Sequence, residues 1–199
     1  MYEKGYQETL ERRQNWRIFE KKIAYIIAVP VIGLLLSLFA FHFYQIDGPS
    51  MEDTLRDNDR VVINKWGKTW ANITGEDYLP KRYDVVVFDN PNPRGEEQLI
   101  KRVVALPGER VVVLNNDVRV FNDQHPKGFL VDRQAPAGAL IDDVTAGYND
   151  EIVGPSEIFV LGDNRGASYD SRSMGTIQAD SVIGRLVLRF YPFMDVALY

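Results

Sequence analysis

The sequence of 199 residues predicts a mostly β protein, in which a single N-terminal transmembrane helix precedes an antiparallel β domain with a small loop-rich insertion. Two observations carry this prediction. A long apolar run lies near the N-terminus, and behind it short segments rich in valine and isoleucine alternate with clusters of Gly, Pro, Asn and Asp. Such alternation is typical of β-strands joined by turns.

The apolar run extends from Ile23 to Tyr44 and contains no Asp, Glu, Lys or Arg. As a helix it would be about 33 Å long, which is enough to cross the hydrocarbon core of a bilayer. A cleaved signal peptide has a shorter apolar region, of roughly 7 to 15 residues, followed by a small-x-small site. This run ends in the bulky FAFHFY instead. We therefore predict an uncleaved anchor rather than a leader or a buried core helix, which would rarely be apolar on every face.

The distribution of charge predicts how the chain is oriented. Residues 1–22 carry six basic and four acidic side chains, and basic flanks stay in the cytoplasm. The predicted organisation is a cytoplasmic segment 1–22, a transmembrane helix 23–44 in the cell membrane, and an extracytoplasmic β-rich domain 45–199. The whole chain has 23 basic and 28 acidic residues, so 17 basic and 24 acidic residues remain for residues 45–199, a net charge of −7. This charge argues against nucleic acid as a partner. Membrane lipid is the expected partner of the anchor.

Seven strands are predicted beyond the anchor, and little helix. A hairpin is expected with Asn115, Asn116 and Asp117 at its turn, and residues 125–153 are expected to form a loop-rich excursion. Trp66 and Trp70 fit either the membrane interface, where tryptophan collects, or ordinary loop packing. The predicted strands are 60–64, 83–88, 99–106, 110–114, 118–121, 157–162 and 181–190.

Several kinds of chemistry are excluded or disfavoured by composition. The chain has no cysteine, which excludes thiol catalysis, disulfides and thiolate zinc sites. It has two histidines, His42 at the end of the anchor and His125 in a loop, and no H-E-x-x-H motif. We therefore expect no metal and no cofactor.

One serine stands out in the stretch IDGPSMEDTLR, residues 46–56, because Ser50 follows a turn-forming Gly-Pro pair just beyond the apolar run. Serine is a poor nucleophile unless a neighbour takes its proton. With neither histidine suitably placed, a neutral lysine is the alternative, which requires an apolar setting that lowers its pKa. Lys101 fits best, since on a strand it shares a face with Leu99 and Val103. The competing interpretation is a lysine whose stem packs while its ammonium reaches water.

A third segment, LGDNRGASYDSRSMG at residues 161–175, is dense in small polar and charged side chains. It suits a rigid loop held by hydrogen bonds, in which Asp163 or Asp170 is available to Arg165 or Arg172. A solvated turn is the alternative.

Together these segments resemble the bacterial type I signal peptidases, membrane-bound serine proteases that remove signal peptides from exported preproteins. The likeness extends over nearly the whole chain, through the anchor and the motifs GPSMEDTL, YDVVVFDNP, IKRVVALPGERV and GDNRGASYDSR. It implies a mostly β catalytic fold, a Ser-Lys dyad acyl-enzyme mechanism, and cleavage after an Ala-x-Ala-like site. The roles that it implies are nucleophile for Ser50, general base for Lys101, orientation of the lysine for Ser168, a structural ion pair for Asp170 and Arg172, loop support for Asp163, and a substrate pocket lined by Ile46, Met51 and Ile100.

The sequence also departs from the family's pattern. Asp53 stands where proline is common and Tyr83 where glycine is common, for which we expect local structural effects alone. In some members a serine stands at the position of Gly48, and the hydroxyl of that serine helps the backbone N–H of the nucleophile hold the oxyanion. Because Gly48 has no side chain, the second oxyanion donor is left unassigned here. Two competing functions are a self-cleaving Ser-Lys repressor, disfavoured by the anchor, and a non-catalytic membrane-anchored β domain that binds exported proteins.

Overall fold

The structure is a computed structural model that describes residues 16, 19–20, 22–34, 39–52, 54–91, 98–136, 141 and 144–199. The chain divides into two compact units, Met1–Ala40 and Phe41–Tyr199. Nearly all of the predicted cytoplasmic segment 1–22 lies outside the described residues, and so do most of the basic side chains on which the predicted orientation rests.

The apolar run does not have a single conformation. Its described residues up to Ala40 are helical, and residues 41–45 form a strand. Across the described part of the chain, we find no helix with both the length and the apolar character needed to traverse a bilayer. The prediction of a helix through Tyr44 is therefore wrong for the last four residues. Their aromatic side chains favour a strand when a neighbouring strand offers hydrogen bonds.

The second unit is antiparallel throughout. Its strands are β1 (Phe41–Gln45), β2 (Arg60–Asn64), β3 (Val85–Asp89), β4 (Gln98–Ala105), β5 (Arg110–Leu114), β6 (Asp117–Asn122), β7 (His125–Leu130), β8 (Asn149–Ile152), β9 (Glu157–Leu161), β10 (Ile177–Gln178), β11 (Val182–Tyr191) and β12 (Ala197–Leu198). A large sheet has the order β1-β2-β11-β3-β4-β9-β10, with β12 on β11, and a small sheet has the order β7-β6-β5-β8. The predicted strands are confirmed, with ends that differ by two residues at most.

The small sheet contains the predicted hairpin. Leu114 pairs with Asp117, so β5 and β6 are joined by the two residues Asn115 and Asn116, both at positive φ. Positive φ at both positions is the requirement of a type I′ turn, which asparagine tolerates. The hairpin is confirmed, although Asp117 belongs to the strand rather than to the turn.

The excursion predicted at 125–153 is more ordered than expected, because its two ends are β7 and β8. Pro126 and Gly128 lowered the strand propensity of the first segment. Proline is nevertheless tolerated in an edge strand, and β7 lies at the edge of the small sheet.

Helices are short. They comprise α1 (Trp66–Thr74), α2 (Ser171–Met174) and the 3₁₀ turns Asp132–Gln134, Arg165–Ala167, Ala179–Ser181 and Phe193–Asp195. Helix α1 was not predicted from the sequence. It ends at Gly75, which has φ +74° and donates its N–H to the Ala71 carbonyl, as expected of a glycine C-cap.

One of the hydrophobic clusters fixes the segment that follows Ser50. Met51 and Leu55 are fully buried against Ile46, Val61 and Ile63. Burying such side chains contributes about 1.5 to 3 kcal/mol each. The turn that carries Ser50 is therefore anchored from both sides, by Ile46 before it and Met51 after it.

Candidate active site

Ser50 lies in a tight turn immediately beyond β1. Gly48 adopts φ +88°, a conformation that favours glycine, and its N–H donates to Asp57 Oδ1 at 2.9 Å. Pro49 accepts a hydrogen bond from Glu52 N–H at 3.0 Å. These contacts, with Met51 buried in the core, project the Ser50 side chain toward the middle of the large sheet.

Lys101 projects from β4 toward that serine. Its Nζ lies 2.8 Å from Ser50 Oγ and donates to the Ile100 carbonyl at 2.7 Å. The lysine side chain is almost wholly buried, with 3% of the residue exposed. Burial disfavours the charged form of an amine, and a neutral amine at this distance accepts a proton from the hydroxyl.

Gly162 brings the third predicted segment against Ser50. A Cβ placed on Gly162 would lie 2.5 Å from the Ser50 carbonyl oxygen and 2.5 Å from Ser168 Cβ, and also against Ser168 Oγ. Asn164 N–H donates to the same Ser50 carbonyl at 3.2 Å. Gly162 thus lies against both Ser50 and Ser168.

The hydroxyl of Ser168 is buried and has no hydrogen-bond partner within the described residues. It therefore does not bond to Lys101 in this structure, and the orienting role implied by the family resemblance stays a prediction. A buried hydroxyl without a hydrogen-bond partner calls for an explanation, and a catalytic role is one.

Asp170 and Arg172 form the ion pair that the resemblance implies. Arg172 donates Nε to Asp170 Oδ1 and Nη2 to Oδ2, both at 2.9 Å, and the Gly162 N–H donates to Oδ2 at 3.0 Å. Burial acts to raise the pKa of Asp170, but these hydrogen bonds outweigh it and the pKa is lowered. The nearby Ser168 hydroxyl makes the smallest contribution to the lowered pKa of Asp170. Its geometry does not meet the criteria for a hydrogen bond. Asp170 is therefore ionised at neutral pH and holds Gly162 in place.

Asp163 is fully buried and pairs with a residue that the sequence analysis did not single out. Arg102, next to Lys101 on β4, donates to both oxygens of Asp163, at 2.8 and 2.6 Å. The same guanidinium donates to the Tyr83 carbonyl at 3.0 Å and to Thr54 Oγ1 at 3.3 Å. Arg102 thus joins the strand of Lys101, the loop of Ser168 and the segment after Ser50.

Arg165 pairs with neither Asp163 nor Asp170. It donates to Asp132 from two nitrogens, at 2.8 and 2.6 Å, and to Thr145 Oγ1, and its Nε donates to the Gly162 carbonyl at 2.9 Å. Asp132 follows β7, so this contact ties the small sheet to the loop that carries Ser168.

A cleft runs from Ser50 and Lys101 along the end of β1 and the start of β4, enclosing about 540 Å³ of space that includes its open mouth. Of the three residues predicted to line the substrate pocket, Ile46 and Ile100 line this cleft. Met51 does not, because it is fully buried in the core beneath the turn. The remaining lining residues are Tyr44, Gln45, Asp47, Val87, Gln98 and Leu99.

Neither histidine lines the cleft. His42 is in β1, and His125 begins β7, where its N–H donates to Asn122 Oδ1 at 2.8 Å. Among the described residues, no three His, Asp or Glu side chains are grouped to bind a metal ion.

Comparisons with known proteins give the class to which this chain belongs, the serine proteases. The family model described as "Signal peptidase, peptidase S26" matches residues 18–191. The chain belongs to this family, the bacterial type I signal peptidases.

Two similar proteins cover most of the chain. A signal peptidase I of Bacillus caldolyticus is 31% identical over 87% of this chain and 91% of its own length. A signal peptidase I of Bacillus licheniformis is 32% identical over 90% of this chain and 91% of its own length. A solved structure of a signal peptidase I from Enterococcus faecalis V583 shares 27% identity, covers 55% of this chain and 97% of that chain, and has a TM-score of 0.39.

Proposed function

We propose that this chain is a membrane-anchored endopeptidase that removes signal peptides from exported preproteins, with Ser50 as nucleophile and Lys101 as general base. The observation that carries the proposal is the 2.8 Å separation of Lys101 Nζ and Ser50 Oγ. Family membership supplies the reaction, and the geometry supports the assignment of these two residues to it.

The proposed reaction proceeds through an acyl-enzyme. Neutral Lys101 takes the proton of Ser50 as Oγ attacks the scissile carbonyl, and the resulting ammonium gives this proton to the leaving amine. The same amine then activates water, which releases the acyl group and regenerates Ser50. The Ser50 N–H, which donates to no described residue, is available to the oxyanion. Gly48 offers no side chain for this purpose, and its N–H is engaged by Asp57.

The other predicted residues hold this pair in place. Asp170 and Arg172 position Gly162, and Asp163 holds Arg102 beside Lys101. The proposed part of Ser168 is to orient the Lys101 amine. Its buried, unpartnered hydroxyl and its contact with Gly162 beside Ser50 support this role.

The cleft suits an extended peptide with small side chains. Residues 98–101 of β4 pair with β3 on one side, whereas pairing with β9 on the other side begins at Arg102. We infer that a substrate strand adds beside residues 98–100, on the side of β4 away from β3, through main-chain hydrogen bonds. Ile46 and Ile100 narrow the cleft, which favours an Ala-x-Ala-like site before the cleaved bond.

The proposed location places residues 1–22 in the cytoplasm, the apolar run from Ile23 in the cell membrane, and the domain that carries Ser50 on the extracytoplasmic face. Enzyme and membrane-threaded substrate then share one surface, which raises their effective concentration. A direct test incubates the purified full chain, in lipid, with one preprotein that has an Ala-x-Ala site. We expect a new N-terminus immediately after this site, and an uncut preprotein would overturn the proposal.

The pH dependence of cleavage tests the state of Lys101. Because the charged form of a buried amine is disfavoured, we expect kcat/KM to rise with pH through an ionisation well below about 10.4, the value for a free lysine. The free base is the active form, so activity is lost as pH falls through this ionisation. A profile of kcat/KM against pH for a soluble peptide measures it, and a midpoint near that of a free lysine would contradict the proposed base.

The short connection between the apolar run and Ser50 is also testable. A Gly/Ser spacer of about ten residues, inserted between Ala40 and Phe41 so that β1 stays intact, would let the catalytic domain drift about 15 to 20 Å from its anchor. We expect a soluble Ala-x-Ala peptide to be cut as before and a membrane-inserted preprotein to be cut more slowly. Equal rates on the membrane-inserted substrate, with and without the spacer, would show that the tether does not position the enzyme.

A further inference from the structure

The peptide group between Thr54 and Leu55 carries hydrogen bonds on both of its sides. Its N–H, that of Leu55, donates to the carbonyl of Met51, the residue directly after the nucleophile, at 2.8 Å. Its carbonyl, that of Thr54, accepts from the Tyr199 hydroxyl at 3.0 Å and from Arg189 Nη1 at 3.1 Å. Donors at the carbonyl polarise the N–H of the same peptide group, so these bonds strengthen one another. The two donors therefore act on the main chain next to the nucleophile.

The side chain of Thr54 connects the same residue to the strand of the proposed base. Thr54 is buried, with 3% of the residue exposed, and its Oγ1 accepts from Arg102 Nη2 at 3.3 Å. Arg102 is the neighbour of Lys101 on β4. Thr54 is thus linked through its main chain to the segment of Ser50 and through its side chain to the strand of Lys101. A shift of Thr54 changes the position of these two groups relative to each other.

Both donors to the Thr54 carbonyl belong to the pair of strands β11 and β12. The two strands are antiparallel, in a register that pairs Arg189 with Ala197. Tyr199 follows β12 directly, and its N–H donates to the Val187 carbonyl at 3.1 Å. Arg189 also donates Nε to the Asp195 carbonyl at 2.9 Å. Main-chain pairing therefore fixes where the Tyr199 ring and the Arg189 guanidinium leave the sheet.

Of the two donors, Tyr199 acts on this carbonyl alone. Its hydroxyl makes one hydrogen bond within the described residues, the one to Thr54. Arg189 also pairs with the buried carboxylate of Asp59 at 3.2 Å, so it stabilises the fold irrespective of the reaction. Burial raises the pKa of the Tyr199 hydroxyl, and the neighbouring charges of Arg189 and Asp59 act on it in opposite directions. The hydroxyl therefore remains a donor at the neutral to alkaline pH at which the free base of Lys101 is active.

We propose that Tyr199 is a positioning residue for the proteolytic reaction, and that its hydroxyl, by holding the Thr54 carbonyl, keeps Ser50 in reach of Lys101. The inference rests on the proposed roles of Ser50 and Lys101. Tyr199 does not line the cleft, so it acts through the main chain and not through the substrate. Loss of its hydroxyl should therefore slow the chemical step and leave the binding of a peptide substrate unchanged.

Tyr199→Phe removes the hydroxyl and keeps the ring. For the full chain acting on a soluble Ala-x-Ala peptide, well below the unfolding temperature, we expect kcat to fall about 3- to 10-fold at unchanged KM, the size expected for one neutral hydrogen bond. Tyr191→Phe is the matched control, because Tyr191 is an exposed tyrosine of β11 whose hydroxyl makes no hydrogen bond within the described residues. Its kcat and KM should equal those of the wild type. Equal kcat in the two variants, or a change in KM alone, would overturn the proposal.

Hydrogen exchange distinguishes a local effect on the nucleophile turn from a general loss of stability. The reporter is the Leu55 amide, whose hydrogen bond to Met51 shares a peptide group with the Thr54 carbonyl. In Tyr199→Phe we expect this amide to exchange faster, while the amides of β6 in the small sheet exchange at the wild-type rate. Unchanged exchange at Leu55 contradicts the proposal. Equal acceleration at Leu55 and in β6 contradicts it as well, because Tyr199 would then stabilise the domain as a whole.

The wild-type chain separates this inference from the proposed function. If the wild-type chain does not cut the peptide, the proposed function is wrong and Tyr199 has no reaction to position, whatever the exchange at Leu55. If the wild-type chain cuts the peptide and Tyr199→Phe matches Tyr191→Phe in kcat, this inference alone is wrong. A lower kcat at unchanged KM, together with faster exchange confined to Leu55 and its neighbours, is the result that supports it.

Discussion

Replacement of Ser50 by alanine is expected to abolish cleavage of an Ala-x-Ala peptide while the protein stays folded. The side chain is removed from a turn whose shape is set by Gly48, Pro49 and the buried Met51, so the turn does not depend on the hydroxyl. Loss of the nucleophile in a serine protease lowers kcat by a factor on the order of 10⁶. A Ser50→Ala protein that still processes the peptide would exclude Ser50 as nucleophile.

Replacement of Lys101 by alanine is expected to cause a loss of similar size, because the hydroxyl then has no base at 2.8 Å. Nucleophile and base act as one unit, so the double variant should lose little more than either single one. Lys101→Met is a second variant that fills the buried site without an amine. Activity retained in both Lys101 variants would exclude this residue as the base.

Lys127→Ala provides the matched control, since Lys127 is an exposed lysine of β7 and does not line the cleft. We expect its kcat/KM to equal that of the unmodified chain. Thermal unfolding of every variant, measured alongside the rates, separates a loss of chemistry from a loss of structure.

The apolar setting of Lys101 was predictable because the local sequence determines it. Leu99 and Val103 share a strand face with Lys101, and in the structure they are 7% and 0% exposed. The contact between Lys101 and Ser50 is different, since it joins residues 51 positions apart. Hydrophobic alternation predicts which face a residue occupies, but not which distant turn packs against it.

The partners of the buried arginines could not be predicted for the same reason. Arg102 reaches Asp163 because β4 and β9 are neighbours in a register that pairs Arg102 with Leu161, two residues before the carboxylate. Arg165 reaches Asp132 only because the small sheet folds back onto the loop. The sequence places charges of opposite sign near one another, and tertiary structure decides which of them pair.

The aromatic end of the apolar run shows how context overrides pattern. From Ile23 onward the run has no charge to mark a boundary, so one helix through Tyr44 was the natural prediction. Residues 41–45 instead complete the large sheet by pairing with β2. Similarly, α1 was missed although Trp66, Trp70 and Ile73 stand at i, i+4 and i+7, because a helix of nine residues is too short for this spacing to repeat.

Replacement of Gly162 by alanine is also expected to lower activity strongly, although Gly162 carries no reactive group. The new methyl group would lie 2.5 Å from the Ser50 carbonyl oxygen and 2.5 Å from Ser168 Cβ, which is closer than real Cβ contacts come. The Ser50 oxygen belongs to the backbone and is held by Asn164 N–H at 3.2 Å, so it cannot rotate away as a side chain would. The turn that carries the nucleophile must therefore move.

A displacement of about 1 Å in a catalytic group costs on the order of 10²-fold in rate, and crowding a packed interior costs about 1 to 3 kcal/mol of stability. We expect Gly162→Ala to lose at least about a hundredfold in kcat and to lower the unfolding temperature. Gly166→Ala is the matched control from the same loop, because the nearest atom to its Cβ would be Asn164 Oδ1 at 3.8 Å, an ordinary contact.

A second variant tests which contact lowers the stability. Combining Gly162→Ala with Ser168→Ala removes the Ser168 hydroxyl but leaves Ser168 Cβ and the Ser50 carbonyl in place, each at 2.5 Å from the new methyl group. Stability should then recover in part, and kcat is expected to stay low both because the nucleophile turn is still displaced and because the hydroxyl proposed to orient Lys101 is gone. A Gly162→Ala protein as active as Gly166→Ala would show that the loop of Ser168 does not set the position of Ser50. It would also contradict the proposed role of Asp170 and Arg172, which is to hold Gly162 in place against Ser50.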